Sequence, residues 1–188
     1  MVIVRNCQWL IKKLVFLPLL LTLVCSVGST ALASPFGAGK FGANVPFGGQ
    51  TSLTIATTGN VTIPVTPTDS GTLATGTSTV TVTSTDVVGY KLYIRALSNT
   101  NLVNGGSTLP ASGNVTPAAL SVNTWGYNTD ASTNFAGITL SNVLIRTGNG
   151  PFESGDQTTV TYGLKIDNSK PAGNYSSSII YTAVPQTQ

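Results

Sequence analysis

Side chains that could do acid–base or nucleophilic chemistry are scarce in this chain of 188 residues. There is no histidine, and both cysteines, Cys7 and Cys25, lie close to the N-terminus. Catalysis would therefore have to rest on carboxylates, as it does in glycoside hydrolysis. The acidic residues are Asp69, Asp86, Asp130, Glu153, Asp156 and Asp167. Only Glu153 and Asp156 are neighbours in a shared glycine-rich stretch, where acids are usually solvated, so a hydrolase is the remotest alternative.

Carboxylates and loop carbonyls are also the only metal ligands that remain away from the N-terminus. Calcium is the metal that such oxygen ligands suit, and Asp130, Glu153 and Asp156 are the acids that could cluster at one end of a sandwich. Their spacing does not match a calcium-binding loop. We therefore expect no metal site, no cofactor and no catalytic residue, and we interpret the chain as a non-enzyme.

Aromatic side chains are the better candidates for a binding site. Trp125 and Tyr127 in "NTWGYNT" lie two residues apart on a predicted strand, so they share one face of it. Exposed, they would form a platform for sugar rings, which makes a carbohydrate-binding module the alternative function. Buried, they would belong to the core, and large aromatics of β-sandwiches usually do. Tyr93, which alternation places on an outward strand face, is the third candidate.

The N-terminus has the pattern of a secretory signal peptide. Three basic residues in "MVIVRNCQWLIKK" precede the apolar run Leu14–Val27, and "ALA" at 31–33 offers a small-residue cleavage site. The apolar run is shorter than the roughly 18 to 20 residues that cross a bilayer. We expect residues 1–33 to be removed before Ser34. The mature protein would then be extracellular or at the cell surface, without membrane insertion.

Cleavage would also neutralise the chain. Nine basic residues minus the three at Arg5, Lys12 and Lys13 leaves six, against six acidic residues. A net charge of zero provides no electrostatic attraction for nucleic acid or for anionic lipid. Both cysteines would leave with the signal peptide, so the mature chain would contain neither a thiol nor a disulfide. We expect no nucleic-acid partner.

Residues 34–50, "SPFGAGKFGANVPFGGQ", form a biased segment rich in glycine and phenylalanine. Phe36, Phe41 and Phe47 each precede a glycine, and this composition predicts a flexible lead. The lead could be a linker that packs on its own domain, or an arm that inserts into a neighbour. Its glycines interrupt the alternation that a donor strand needs, which favours the linker.

Residues 51–188 are predicted to form one all-β domain. Alternation of apolar and polar residues with period two recurs along this region, most clearly in "GYKLYIRAL", where Tyr90, Leu92 and Ile94 share one face. A further strand is predicted in "NVTIPVT" (60–66), with Pro64 marking an edge or a bulge. About seven to eight strands at short spacing predict a single immunoglobulin-like Greek-key β-sandwich.

The last part of the chain predicts a structural corner followed by a closing hairpin. Pro171 fixes its own φ, and Gly173 is free to adopt a positive φ. In "PAGNY", Tyr175 follows the turn as in the tyrosine corner of Greek-key sandwiches, where the hydroxyl binds upstream backbone. The alternation after Tyr175 favours a final strand that completes the domain.

Three stretches, "GYKLYI", "NTWGY" and "YGLKIDNSKPAGNYSSSIIYTA", carry a resemblance to largely uncharacterised short secreted proteins of reduced-genome bacteria. The similarity extends over most of 51–184. The closing "PAGNYSSSIIYTAV" is also similar to the last strand of many pilin-like and surface-adhesion sandwiches. The resemblance implies a signal peptide, one β-sandwich and a place outside the cytoplasm, and it supplies no catalytic or binding residues.

Together these features predict a non-catalytic secreted or cell-surface protein with a structural or interaction role, such as a fibre subunit or an adhesin. The expected partners are a second copy of the chain, another surface protein or a glycan. Strand addition to a neighbour's sheet is the mechanism that a fibre would use.

Overall fold

A computed structural model describes residues 51–186, and every named strand in this range pairs antiparallel with its neighbours. The predicted signal peptide 1–33 and lead 34–50 lie outside the described residues. The strands are β1 (Ser52–Thr57), β2 (Thr72–Thr85), β3 (Gly89–Ala96), β4 (Leu102–Asn104), β5 (Ser107–Leu109), β6 (Thr124–Asn128), β7 (Val143–Asn149), β8 (Phe152–Ile166) and β9 (Ile179–Gln186). The prediction of an all-β fold is confirmed over these residues. None of them forms a helix of the length and hydropathy that a membrane span requires.

Two main sheets contain seven of these strands. The first sheet has the order β1-β2-β8-β6 and the second has the order β7-β3-β9, while β4 and β5 form a separate short hairpin. β2 and β8 pair along most of their length and form the centre of the first sheet. β2 has the period-two pattern that a strand buried on one face requires, with Val80 and Val82 buried between half-buried threonines, whereas β8 is buried on both faces from Val160 to Leu164.

One apolar core lies between the two main sheets, an arrangement consistent with a β-sandwich. The first sheet contributes Val80, Val160 and Tyr162, and the second contributes Leu92 and Ile94, all of them buried. The hydroxyls of Tyr162 and Tyr181 form a hydrogen bond of 2.6 Å between β8 and β9 and thus tie the two sheets together. We call the whole arrangement the two-sheet body.

The prediction of a strand at 60–66 was wrong, although its alternation is real. Val61, Ile63 and Val65 are half-buried and pack against the core, while the residues between them are exposed. Val61 and Ile63 lie over Gly76 of β2. No strand pairing forms along this segment. Pro64 has no N–H to donate to a ladder, so the segment covers β2 with side chains alone.

The prediction of a closing hairpin was also wrong. β8 belongs to the first sheet and β9 to the second, so the segment between them, residues 167–178, crosses from one layer to the other. β9 pairs with β3 instead, with Leu92 opposite Ala183. The turn residues indicated correctly where the chain changes direction, but the next strand continues in the other sheet.

Candidate functional site

Trp125 and Tyr127, the two residues of the predicted sugar platform, are buried. Their exposed fractions are 3% and 5%. The indole Nε1 of Trp125 donates a hydrogen bond to the carbonyl of Thr100 at 3.0 Å, and its ring lies 6.4 Å from that of Tyr162. Burial raises the pKa of the Tyr127 hydroxyl. Both residues therefore belong to the core, which was the second of the two alternatives. Neither ring presents a face on which a sugar could stack.

Both edges of β6 are paired, which explains how so short a strand is buried. One edge pairs with β8. On the other edge, the N–H of Trp125 donates to Pro110 and its carbonyl accepts from Ser112, while Tyr127 exchanges two hydrogen bonds with Ala136. The "LPASG" stretch at 109–113 is thus part of the cover over β6. This side of the first sheet offers no free strand edge.

A pair of glycines lets an aromatic ring lie against the outer face of the first sheet. Gly126 of β6 and Gly163 of β8 are directly opposite each other in the register. Phe135, whose exposed fraction is 0%, lies over both, and its ring occupies the space that a Cβ at Gly163 would need. Sequence reasoning missed this contact, because glycine inside a strand indicates a close approach without identifying the neighbour.

The candidate acid pair does not form a catalytic dyad. Glu153 is exposed, whereas Asp156 lies on β8 and accepts hydrogen bonds from the Arg146 guanidinium at 2.7 and 2.8 Å. The Tyr90 hydroxyl donates a third hydrogen bond to Asp156, at 2.6 Å. Burial opposes ionisation of Asp156, but the hydrogen bonds from Arg146 and Tyr90 outweigh it and lower its pKa. A carboxylate held in this way is an ion-pair partner rather than a general acid.

Asp130, the third acid of the predicted loop cluster, and Asp167, which was not part of it, have local roles. Asp130 and Asp167 each accept the backbone N–H of the residue two positions later, at 3.1 and 2.9 Å, a hydrogen bond typical of aspartate in turns. Hydrogen bonds from Ser169 and then Asn123 lower the pKa of Asp167. Among residues 51–186, no group of three or more acids is close enough to hold a metal ion.

The structural corner lies on the crossing between β8 and β9. The Tyr175 hydroxyl donates to the carbonyl of Pro171 at 2.9 Å, which is the hydrogen bond expected from the "PAGNY" motif. Gly173 has a φ of +149°, and the side chain of Asn104 occupies the space beside its Cα. A side chain at this position would be strained for both reasons. The corner fixes the path of the chain just before β9 begins.

A shallow groove lies beside this corner, between the segment after β3 and the segment before β9. Its lining consists of Ser98, Asn99, Asn101, Val103, Ser176, Ser177 and Ser178. None of these side chains is aromatic or titratable. The groove therefore offers neither a stacking surface nor an acid–base group.

Tyr93, the third candidate, lies half-buried on the outer face of the second sheet. Its cross-strand neighbours are Thr182 of β9 and Leu144 of β7. Leu144 is exposed, and so is Val184 further along β9. Tyr93 is thus part of a mixed apolar surface rather than an isolated aromatic side chain.

Comparisons of the chain with protein-family models, with curated proteins and with solved structures find no match. The geometry of the two-sheet body is therefore what supports a function.

We call the side of the two-sheet body where β1 and β9 lie next to each other the open side. Ile55 of β1 is directly opposite Val82 of β2, so the two side chains point to the same face of the first sheet. Val82 is fully buried, but Ile55 is 39% exposed. Ile55 therefore faces the interior of the two-sheet body, but the described residues leave it partly uncovered.

β9 borders the open side with an unprotected edge. Within the described residues it pairs with β3 alone. The chain carries no charged residue after Lys170, so β9 lacks the charges that commonly protect edge strands from further pairing. Pro185 blocks part of one end and leaves Ile179–Val184 as the accessible edge. The sequence had shown the alternation of β9 but not that one of its edges would have no strand neighbour among residues 51–186.

Proposed function

We propose that the exported chain is a non-catalytic structural or interaction protein of the cell surface, acting as a fibre subunit or an adhesin. The observation that carries this proposal is the uncharged edge of β9 beside the half-exposed Ile55. An apolar strand edge without charged residues is a surface for pairing with another chain. The partner is a second copy of the chain, another surface protein or a glycan.

We further propose that the two-sheet body is an immunoglobulin-like Greek-key β-sandwich. The strand orders β1-β2-β8-β6 and β7-β3-β9 support this, because a sheet of four strands packs on a sheet of three. The chain passes from the first sheet to the second between β8 and β9. The hydrogen bond from Tyr175 to Pro171 lies in the segment that connects β8 to β9, and tyrosine corners occur in such connections between the sheets of these sandwiches.

Export is the premise of this role. The basic residues, the apolar run and the "ALA" site at 31–33 support cleavage before Ser34. The resemblance to short secreted proteins of reduced-genome bacteria supports the same location. A neutral mature chain suits a surface protein that associates through strand edges and apolar contacts rather than through opposite charges.

Cell fractionation, N-terminal sequencing and affinity capture test this function. We expect the chain in the envelope or the medium, with Ser34 as its first residue. The tagged mature chain, used as bait on native envelope, should capture either itself or a surface component. A chain retained in the cytoplasm with residues 1–33 intact would contradict the proposal, and so would an exported monomer that captures nothing.

A further inference from the structure

Building on the proposed surface role, we propose that Phe41–Phe47 of one copy adds to β9 of the next copy as an antiparallel strand. The copies would thereby join head to tail. The two-sheet body supplies the acceptor, and the lead that precedes β1 supplies the donor.

The acceptor is the open side. Leu53 and Ile55 of β1 face the second layer, yet Leu53 is only half-buried and Ile55 is 39% exposed. On β9, Tyr181 and Ala183 point toward the core and are also only partly buried. A strand hydrogen-bonded to β9 would pass in front of all four side chains and remove them from water.

The donor is the part of the lead in which alternation is unbroken. Glycines interrupt the pattern over 34–50 as a whole, but between residues 41 and 47 apolar residues occupy every odd position. These are Phe41, Ala43, Val45 and Phe47. Gly42, Asn44 and Pro46 occupy the even positions. Such a strand can place one apolar face on β1 and β9 and its polar face in water.

Pro46 is compatible with this pairing. In a strand, the N–H groups of alternate residues point to the same edge. If the odd-numbered residues donate to β9, the missing N–H of Pro46 lies on the far edge, where proline is accepted in edge strands. The far edge of the added strand would then be a poor template for further pairing, so addition ends with a single strand.

The direction of the strands favours a second copy over insertion into the same molecule. We call the end where β2 meets β3 the upper end, and β9 runs toward it because Gln186 is opposite Gly89. β1 runs away from it, since Ser52 is opposite Thr85. The lead therefore reaches β1 from above. Within one copy, it could lie beside β9 only in the parallel direction, which is slightly less stable than antiparallel pairing.

When the arm binds a second copy, it can run antiparallel to β9 of that copy, and the chain does not need to turn back before it enters its own β1. An arm antiparallel to β9 has Phe47 at the lower end of its acceptor. Residues 48–51 then lead directly to Ser52, at the upper end of the donor body. The donor body thus lies below the acceptor body in the same orientation. A head-to-tail contact of this kind repeats without closing, so it builds a filament rather than a dimer.

Two matched pairs of variants of the mature chain, residues 34–188, test the donor and the acceptor separately. On the donor, Val45→Asp places a charge on the inserted face, and Asn44→Asp adds the same charge on the opposite face. On the acceptor, Ile55→Glu charges the open side, and Thr54→Glu charges the outer face of the same strand. Light scattering after size-exclusion chromatography measures the mass distribution, and thermal unfolding shows that each variant is folded.

We expect the unsubstituted chain to form oligomers of graded mass. Val45→Asp and Ile55→Glu should each weaken association roughly tenfold or more, since a buried aliphatic side chain is lost from the contact. Asn44→Asp and Thr54→Glu should associate as the unsubstituted chain does. Equal oligomers in all four variants would overturn this inference and leave the proposed surface role intact.

Two other outcomes would also overturn it. A mature chain that is monomeric throughout has no donor in a second copy. A monomer whose unfolding temperature falls with Val45→Asp but not with Asn44→Asp would place the segment on its own β9. In that case the proposed function is judged by the capture experiment with native envelope alone.

Discussion

Tyrosine hydroxyls fix positions at three places in the two-sheet body. Tyr175 binds a backbone carbonyl at the corner, Tyr90 binds Asp156, and Tyr162 and Tyr181 join the two sheets. Burial raises the pKa of Tyr162, whose hydroxyl is shared with Tyr181. Burial raises the pKa of Tyr90 and Tyr181 as well, so these three hydroxyls are neutral hydrogen-bonding groups at ordinary pH.

The corner hydrogen bond predicts a small, specific loss of stability. Tyr175→Phe keeps the ring and removes the hydroxyl that binds Pro171. We expect the free energy of unfolding to fall by about 1 kcal/mol, the usual net contribution of a single hydrogen bond. Urea denaturation measures it. Tyr93→Phe is the control, because the Tyr93 hydroxyl forms no hydrogen bond within residues 51–186 and its loss should be neutral. Equal effects in the two variants would contradict the role of the corner.

The ion pair between Asp156 and Arg146 predicts a dependence of stability on pH. The pKa of Asp156 is lowered in the folded chain, so its stabilising contribution is complete above the unfolded pKa of about 4 and is lost as the pH falls below it. Asp156→Asn should lower the free energy of unfolding at pH 7 by roughly 1–2 kcal/mol. This is the low end for a charged hydrogen bond, since Arg146 is 41% exposed.

Denaturation over a pH series measures this effect. The difference between the unsubstituted chain and Asp156→Asn should shrink as the pH decreases from about 4 toward 2. Glu153→Gln is the control, because Glu153 is an exposed acid on the same strand. A difference that stays constant across the series would show that the substitution acts through packing rather than through charge.

At the level of strands, the contact of Phe135 with Gly126 and Gly163 joins a loop to the first sheet. Gly163→Ala places a methyl group where the Phe135 ring lies. We expect the free energy of unfolding to fall by about 1–3 kcal/mol, as for other overpacked sites. Gly113→Ala is the control, because a Cβ at Gly113 meets no atom within 4 Å. A neutral Gly163→Ala would mean that the loop moves away without cost.

Local patterns predicted most strands and the corner correctly. The alternation around Leu92 correctly places that residue in the core. Such features depend on a few adjacent residues, because backbone geometry fixes which side chains share a face. Tyr175 follows the same logic, since its partner Pro171 is four residues away.

Features that depend on distant strands could not be predicted in this way. Period two shows that Ile55 and Val82 are apolar strand residues, but not that Val82 is fully buried while Ile55 is 39% exposed. A turn at Gly173 indicates where the chain reverses but not which sheet it joins next. Arg146 and Asp156 lie in different sheets, so their spacing in the sequence did not indicate an ion pair.

At the scale of the whole molecule, the neutral charge that the proposed cleavage before Ser34 would leave predicts how association responds to salt. The donor Phe41–Phe47 and the acceptor β9 contain no charged residue. Raising the ionic strength from about 0.1 to 1 M shortens the Debye length from roughly 10 to 3 Å, which weakens contacts between charges. We expect the oligomer masses to be unchanged or slightly larger, because the contact is apolar and hydrogen-bonded. Dissociation at high salt would indicate a charged interface elsewhere.

The opposite directions of β1 and β9 have a mechanical consequence for the proposed filament. A body under tension is pulled upward through the start of β1 and downward through the arm bound to β9. Both forces act along the strand axes, perpendicular to the hydrogen bonds of antiparallel pairs. The bonds of each pair therefore carry the load together in shear, and rupture requires that several break at once.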